Sequence, residues 1–189
     1  MQALDPELAA LLPTAPTAAS EGPQRPPTIA EARAQCEQYV IAPHKAYQEP
    51  LLPPKSAYTL QDEAVAVTGG EIVVRCVVPV VEDMHATFPV LVNIHGGGWS
   101  VGSIELDDYF LRKLSVDLKL ATVVQNQPLL KADLTKGFLV GGQSAGANLV
   151  AVLAHEARDD PFFAGPGRQL TGQVVREPLV VHPDVYPDE

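Results

Sequence analysis

A serine with glycines on both sides is the residue of this sequence whose surroundings point most directly to chemistry. Ser144 lies in GQSAG, residues 142–146, after an apolar run and before an apolar pattern with helical spacing. This matches the G-x-S-x-G turn that presents a nucleophilic serine between a strand and a helix, whose N-terminus favours negative charge. A match of five residues also occurs by chance in tight turns, so the interpretation needs a second motif.

The second motif is HGGGW, residues 95–99, whose three successive glycines let backbone amide groups turn toward a bound oxygen. The structural alternative for a glycine run is a flexible loop. Acyl transfer requires a nucleophile and, about 3 Å from the reacting carbon, amide donors for the developing oxyanion. The two motifs supply both parts, so together they indicate a serine-dependent acyl-transfer site.

The elements around these motifs predict an α/β fold. Residues 89–94 and 121–124 are short unbroken apolar runs typical of buried parallel strands, and Gly69 and Gly70 join two β-rich runs as in a hairpin. Between the two buried strands, apolar residues fall near one face of a predicted helix: Leu106, Tyr109, Phe110, Leu114 and Leu118. Both motifs follow predicted strands, at the carboxyl edge where open α/β sheets bind their ligands.

Residues 1–60 are interpreted as a helical arm and residues 61–189 as the sheet core. The arm holds ten of the 18 prolines, which join its short pieces with stiff bends. Within it, residues 28–40 predict a helix, because Thr28 and Glu31 are spaced as a capping box. The helix has an apolar face that needs a partner surface, formed by Ile29, Ala32, Cys36, Tyr39 and Val40.

In order and spacing, HGGGW followed by GQSAGANL resembles the hormone-sensitive-lipase-like family of α/β-hydrolases. The resemblance extends to the hairpin GGEIVVRCVVP and to the segment DLTKGFLVGGQSAGANL. It implies an α/β-hydrolase fold, in which a mostly parallel sheet has helices on both faces and an N-terminal helical cap arm packs as part of a lid near the serine. It also implies a carboxylic ester hydrolase of the esterase or lipase type.

Carried over to this sequence, the resemblance assigns three groups of residues: Ser144 is the nucleophile, Gly96, Gly97, Gly98 and Ala145 form the oxyanion hole, and His95 and Trp99 support the oxyanion loop. Within the hole, the amides of Gly97, Gly98 and Ala145 would point at the oxyanion. Because the family uses the histidine of its HGGG motif to hold the loop, His95 is not the expected general base.

The base and its acid do not follow the family pattern, in which an acid and then a histidine come after the serine on later loops. His155 lies eleven residues along the predicted helix after Ser144, roughly 15 Å at about 1.5 Å per residue, and cannot reach the serine. His182 is interpreted as a strand-end histidine. The alternative is a substitute pair with His182 as base and Asp184 as its orienting acid.

The link between residues 124 and 138 is also short, because about a dozen residues is the lower limit for a parallel crossover. Family members carry a longer stretch with a whole helix at this point. We therefore expect an internal deletion together with C-terminal truncation, so that the hydrolase sheet is incomplete at its C-terminus and lacks one crossover. Without its base, this chain would hydrolyse esters only at the residual level, about 10³ to 10⁴ over water, that oxyanion stabilisation and binding leave.

Two functional classes stay open at this point. The first is a carboxylic ester hydrolase that uses Ser144 and the oxyanion loop. The second is a catalytically inactive homologue, or a module on the same fold that binds a small ligand or a protein, because a fold alone does not decide a function. Hydrolysis of a chromogenic ester discriminates between the two classes.

Composition limits the partners. The 189 residues carry 13 basic and 23 acidic side chains, a net charge of -10, which opposes binding to nucleic acid or to an anionic membrane. The first residues lack a basic region, and no apolar run approaches about 18 residues, so we expect a cytoplasmic protein without a membrane span. Cys36 and Cys76 are expected to be reduced thiols. The expected ligand is a small apolar ester; nothing indicates a metal or an organic cofactor, and the oligomeric state is open.

Overall fold

A six-stranded sheet with the strand order β1-β2-β4-β3-β5-β6 forms the centre of the protein. The computed structural model describes residues 25–122 and 131–178. The sheet consists of β1 (Tyr58–Val67), β2 (Gly70–Pro79), β3 (Val90–Ile94), β4 (Ala121–Thr122), β5 (Phe138–Gln143) and β6 (Gly172–Arg176). The pairs β3 with β4, β3 with β5, and β5 with β6 are parallel, whereas β1 pairs antiparallel with β2, and β2 with β4. The mostly parallel α/β sheet predicted from the sequence is confirmed.

The predicted hairpin is confirmed, with a shift of one residue in its turn. Strands β1 and β2 pair from Tyr58 with Pro79 to Val67 with Gly70, so the two connecting residues are Thr68 and Gly69. Gly69 has a φ of 91°, a left-handed conformation that glycine adopts without a steric penalty. Gly70 is the first residue of β2 and is not part of the turn.

Two helices cover the sheet, α3 (Asp108–Leu118) and α4 (Ala145–Glu156). A side chain on Gly142 of β5 would meet α4. A side chain on the adjacent Gly141 would instead meet Asn93 of β3, and Asn93 donates a hydrogen bond to Asp107 at the start of α3. Successive residues of a strand point to opposite faces of a sheet. The two helices therefore lie on opposite faces, as the fold predicts.

The main apolar core lies on the α4 face of the sheet and is built from strand residues and Phe88: Val74, Cys76, Val78, Phe88, Val90 and Ala121. On the other face, the apolar pattern predicted for α3 is only partly correct. Leu106 lies before the helix begins, Leu118 is 61% exposed, and the buried residues of α3 are Asp108 and Ser115. Charged side chains replace part of the expected apolar contact between this helix and the sheet.

A cluster of charges joins α3 to the hairpin. Arg75 of β2 lies 2.7 Å from Asp62, 2.8 Å from Glu105 and 3.0 Å from Asp108. Hydrogen bonding from Arg75 holds the pKa of Asp62 below its ordinary value. Burial raises the pKa of Glu105, but hydrogen bonds from Lys45 and Arg75 outweigh burial and lower it overall. Asp62 and Glu105 are therefore ionised at neutral pH, and the contacts of Arg75 with Glu105 and Asp108 orient α3 on the sheet.

The described part of the arm contains a helix that changes pitch in its middle. It consists of α1 (Ile29–Cys36), a π-helical segment (Glu37–Ile41) and α2 (Ala42–Gln48). The capping box is confirmed, because the Glu31 amide donates to the Thr28 side chain and the Thr28 amide donates to the Glu31 carboxylate, whose pKa is lowered to about 2 by bonds from Arg25 and Thr28.

The apolar face predicted for this helix is wrong in part. Ile29, Tyr39 and Val40 are exposed, Ala32 and Cys36 are half-buried, and Ile41 is the residue that is buried. A π-helical turn accommodates an extra residue and so rotates the following side chains about the axis. Tyr39, Val40 and Ile41 all lie in the π-helical segment, where the constant α-helical pitch assumed for the apolar face does not hold.

The short link before β5 is described from residue 131 onward. It pairs with the chain before β3 through a bridge between Phe88 and Ala132, and it then forms a 3₁₀ turn at Leu134–Lys136. Residues 123–130 lie outside the described part, so the predicted absence of a crossover helix there stays a prediction. Among the helices of the described part, none has the length and apolar character needed to pass through a lipid bilayer.

Candidate active site

Ser144 lies at the junction between β5 and α4. Its backbone has φ 51° and ψ −119°, a sparsely populated left-handed conformation for a residue with a side chain. Such a conformation costs of order 1–3 kcal/mol and persists only where surrounding contacts impose it. Here the Ser144 amide donates to the carbonyl of Arg176 at 2.9 Å, and the Ser144 carbonyl accepts from the amide of Asn148 at 3.1 Å. The side chain is exposed.

Glycines on both sides of Ser144 allow the close approach of strand, helix and loop. A Cβ atom on Gly146 would lie 2.1 Å from the carbonyl oxygen of Ile94, and one on Gly142 would lie 2.5 Å from the carbonyl carbon of Gly146. Both distances are too short for real atoms, so these positions require glycine. Their packing holds the first turn of α4 against the end of β3, directly before HGGGW.

The HGGGW loop touches the serine turn from the other side. A Cβ atom on Gly96 would lie 3.6 Å from Cβ of Ser144 and 3.0 Å from the carbonyl oxygen of Gln143. Gly97, Gly98 and Trp99 all have positive φ, at 126°, 56° and 60°. The structure therefore brings the two sequence motifs into contact, although they are far apart along the chain.

Three backbone amides near Ser144 are available to a ligand. Within residues 25–122 and 131–178, the amides of Gly97 and Gly98 donate no hydrogen bond, whereas the Gly97 carbonyl accepts from the amides of Ser100 and Val101. Ala145 is the first residue of α4, where an amide has no partner within the helix. These are the three amides that the resemblance assigns to an oxyanion, and that role stays a prediction.

His95 contacts the backbone of its own loop, and its predicted role in supporting that loop stays a prediction. Its Nδ1 lies 2.7 Å from the carbonyl oxygen of Gly96, and Gly102 packs against the same ring nitrogen. Trp99 is 67% exposed and borders an open pocket of about 360 Å³. The pocket lies between the HGGGW loop and the first turn of α4, and Ala145, Leu149 and Arg33 also line it.

Of the histidines that follow Ser144, the structure describes His155 but not His182. His155 lies in the last turn of α4, where Arg158 bonds its carbonyl, and the structure does not bring it to Ser144. His182 and Asp184 lie outside the described residues, so their role as a substitute pair stays a prediction.

Sequence reasoning missed a buried polar cluster behind the serine turn. Asp107 is 3% exposed and accepts hydrogen bonds from Arg176 Nη2 at 2.5 Å and from Asn93 Nδ2 at 2.9 Å, while the Arg176 guanidinium lies 4.3 Å from the centre of the Phe110 ring. Arg176 is also the residue whose carbonyl binds the Ser144 amide. The partners are up to 69 residues apart, and no local pattern in the sequence indicates their pairing.

A strand order of this kind, a serine in a left-handed turn after β5, and a glycine loop after β3 together define the α/β-hydrolase fold. No protein-family model matches the chain. Individual relatives do match. The chain is 29% identical, over 95% of its own length and 57% of the other protein, to an α/β-hydrolase superfamily protein of Schizosaccharomyces pombe.

Two further matches agree with this fold. The chain is 35% identical to the carboxylesterase NlhH of Mycobacterium tuberculosis over 107 residues, which cover 43% of this chain and 32% of that enzyme. It superimposes on the crystal structure of vibralactone cyclase with a TM-score of 0.79 and 34% identity, covering 97% of this chain and 60% of the cyclase. The chain thus spans less than two thirds of the length of each of these proteins. The α/β-hydrolases and carboxylesterases among its homologues and structural neighbours are in line with the hormone-sensitive-lipase-like family.

Proposed function

We propose that the protein is a carboxylic ester hydrolase in which Ser144 is the nucleophile. The observation that carries the proposal is the left-handed conformation of Ser144 at the first turn of α4, in contact with Gly96 of the glycine loop. A strained backbone at an exposed serine does not stabilise the fold. The same conformation is typical of turns that present a serine hydroxyl to a substrate. The carboxylesterases among the homologues support ester substrates.

In the proposed reaction, Ser144 Oγ attacks the carbonyl carbon of the ester while a general base takes its proton. The carbonyl oxygen becomes an oxyanion, which accepts hydrogen bonds from the amides of Gly97, Gly98 and Ala145. Collapse of this intermediate releases the alcohol, which takes the proton from the base, and leaves an acyl group on Ser144. Water then attacks the acyl group with the same base and releases the acid.

The glycine loop contributes only main-chain groups to this reaction, and His95 is proposed to hold the loop in place. The general base is proposed to be a histidine after Ser144 in the chain. His182, oriented by Asp184, is the candidate that this sequence offers. Ile94, Val101 and Leu149 line the pocket next to Ala145, which favours a small ester with an apolar chain.

The test measures hydrolysis of p-nitrophenyl butyrate with and without added imidazole, which supplies a base from solution. We expect residual turnover without imidazole and a larger rate with imidazole. In the presence of imidazole, Ser144→Ala should lower the rate at least about tenfold. Hydrolysis by imidazole alone is measured without protein and subtracted from both rates. If no Ser144-dependent rate occurs under either condition, the proposal is wrong and the non-catalytic alternative is favoured.

Two variants refine the same experiment. Robust Ser144-dependent turnover without imidazole would show that the chain supplies its own base, and loss of that turnover in His182→Ala would identify the base. His155→Ala is the matched control, because His155 lies at the far end of α4 and its loss leaves the rate unchanged. An equal loss in both histidine variants would contradict a specific role for His182.

A further inference from the structure

The pocket between the HGGGW loop and the first turn of α4 contains a positive charge contributed by the arm. Arg33 of α1 donates a hydrogen bond from Nε to the carbonyl of Ser100 at 2.8 Å, across 67 residues of sequence. The Ser100 amide in turn donates to the carbonyl of Gly97 at 3.1 Å. The first bond places the guanidinium of the exposed Arg33 at the wall of the pocket, and the second links Ser100 to the glycine loop.

Among the described residues, Arg33 shares the lack of an acidic partner with Arg158 and Arg168, but of these three arginines it is the one that lines this pocket. Four arginines of the described residues form ion pairs with carboxylates: Arg25 with Glu31, Arg75 with Asp62, Arg112 with Asp108, and Arg176 with Asp107. In the same part of the chain, Arg33 contacts no carboxylate, and its Nη1 and Nη2 donate no hydrogen bond. None of the described residues that line the pocket is acidic.

A guanidinium without an anion, held beside apolar walls, is suited to bind a carboxylate with two parallel N–H···O bonds. The net charge of -10 repels an anionic ligand from most of the protein surface. An anion would therefore bind selectively at the guanidinium of Arg33. Ile94, Trp99 and Leu149 line the same pocket and suit an aliphatic chain.

We propose that the site takes esters that also carry a carboxylate, such as half-esters of aliphatic dicarboxylic acids, and that Arg33 binds the carboxylate. This inference rests on the proposed role of Ser144 in ester hydrolysis. Arg33 is then a specificity-determining residue, which selects the substrate by charge and positions its ester group at the glycine loop.

Binding can be measured without turnover, because Trp99 lines the pocket and is the only tryptophan of the chain. Monomethyl adipate and its neutral counterpart dimethyl adipate are titrated into the Ser144→Ala protein while Trp99 fluorescence is recorded. We expect the monoester to bind at least about tenfold more tightly, because one charge-assisted hydrogen bond by itself gives a ratio of about this size. Arg33→Gln should abolish this ratio, and Arg33→Lys should retain part of it.

Lys113→Gln is the matched control, since it removes one positive charge from an exposed site on α3. Equal affinity for the two ligands, a preference that survives Arg33→Gln, or an equal loss in Lys113→Gln would each overturn the proposal. So would the absence of binding of either ligand by both fluorescence and ligand-observed NMR.

The role of Ser144 is tested separately by turnover of both esters in the protein with Ser144 intact. Turnover that depends on Ser144, combined with equal affinity for the two ligands, would leave the hydrolase proposal standing and refute the role of Arg33. A charge preference that depends on Arg33, without any Ser144-dependent turnover, would support the carboxylate site and refute the hydrolase.

Discussion

Removing the carboxylate of Asp107 should destabilise the protein strongly, because two donors behind the serine turn lose their acceptor. Asp107→Ala leaves the half-buried guanidinium of Arg176 and the half-buried amide of Asn93 without their buried acceptor. Breaking a buried ion pair costs about 3–5 kcal/mol. The Arg176 side chain is 31% exposed and regains some hydration, so we expect about 3 kcal/mol.

Urea unfolding followed by fluorescence measures this cost. With a slope of about 2 kcal/mol per molar urea, a loss of about 3 kcal/mol lowers the midpoint by about 1.5 M. Asp117→Ala is the control, because Asp117 pairs with Lys113 on the exposed surface of α3. Exposed ion pairs contribute about 0.2–1 kcal/mol, so the control should lower the midpoint by less than about 0.5 M.

A double-mutant cycle with Arg176→Met separates the pair from general damage to the fold. Arg176→Met removes the charge that Asp107 neutralises. The loss in free energy of unfolding in the double variant should therefore be smaller, by about 2 kcal/mol, than the sum of the losses in the two single variants. Equal midpoints for Asp107→Ala and Asp117→Ala, or strict additivity in the cycle, would refute the reasoning.

Two further predictions concern the glycines and the charged cluster. Gly146→Ala should cost at least about 3 kcal/mol in urea unfolding, because its Cβ would lie 2.1 Å from the Ile94 carbonyl oxygen. Gly98→Ala has positive φ but open space around it and should cost only about 1–2 kcal/mol; similar losses at both positions would contradict the packing argument. Arg75 lowers the pKa of Asp62, so this stabilisation is present above the unfolded-state pKa of about 3.9 and is lost as pH falls through the lower folded-state pKa. Asp62→Asn should therefore show a smaller loss of stability on acidification below about pH 4 than the unmodified protein, and an unchanged acid dependence would argue against the pairing.

The sequence predicted those parts of the fold whose signals are local. Gly142 and Gly146 flank Ser144 within five residues, and the conformation they permit is visible in the motif itself. The hairpin was predicted from adjacent glycines, although its turn is centred one residue earlier. Hydrophobic runs likewise located β3 and β5, because buried parallel strands need no alternation.

Contacts between residues far apart in the sequence could not be predicted from local patterns. Asp107, Arg176 and Arg75 are buried or half-buried charges, and each looks like an ordinary surface residue in the sequence. Their partners come together only after the sheet has formed. The π-helical segment was missed because periodicity assumes a constant pitch, which the residues around Tyr39 do not keep.

The hydrogen bond from the Ser144 amide to the Arg176 carbonyl ties the serine turn to the outermost strand of the described sheet. Strands at an edge open more readily than central ones, since they are paired on one side only. Each local opening of β6 therefore releases the backbone of the serine turn together with the strand. The persistence of the strained serine conformation is then coupled to the fraying of this strand as well as to the glycine contacts of the serine turn, and a partner on the edge of β6 that is unpaired among the described residues would lengthen it.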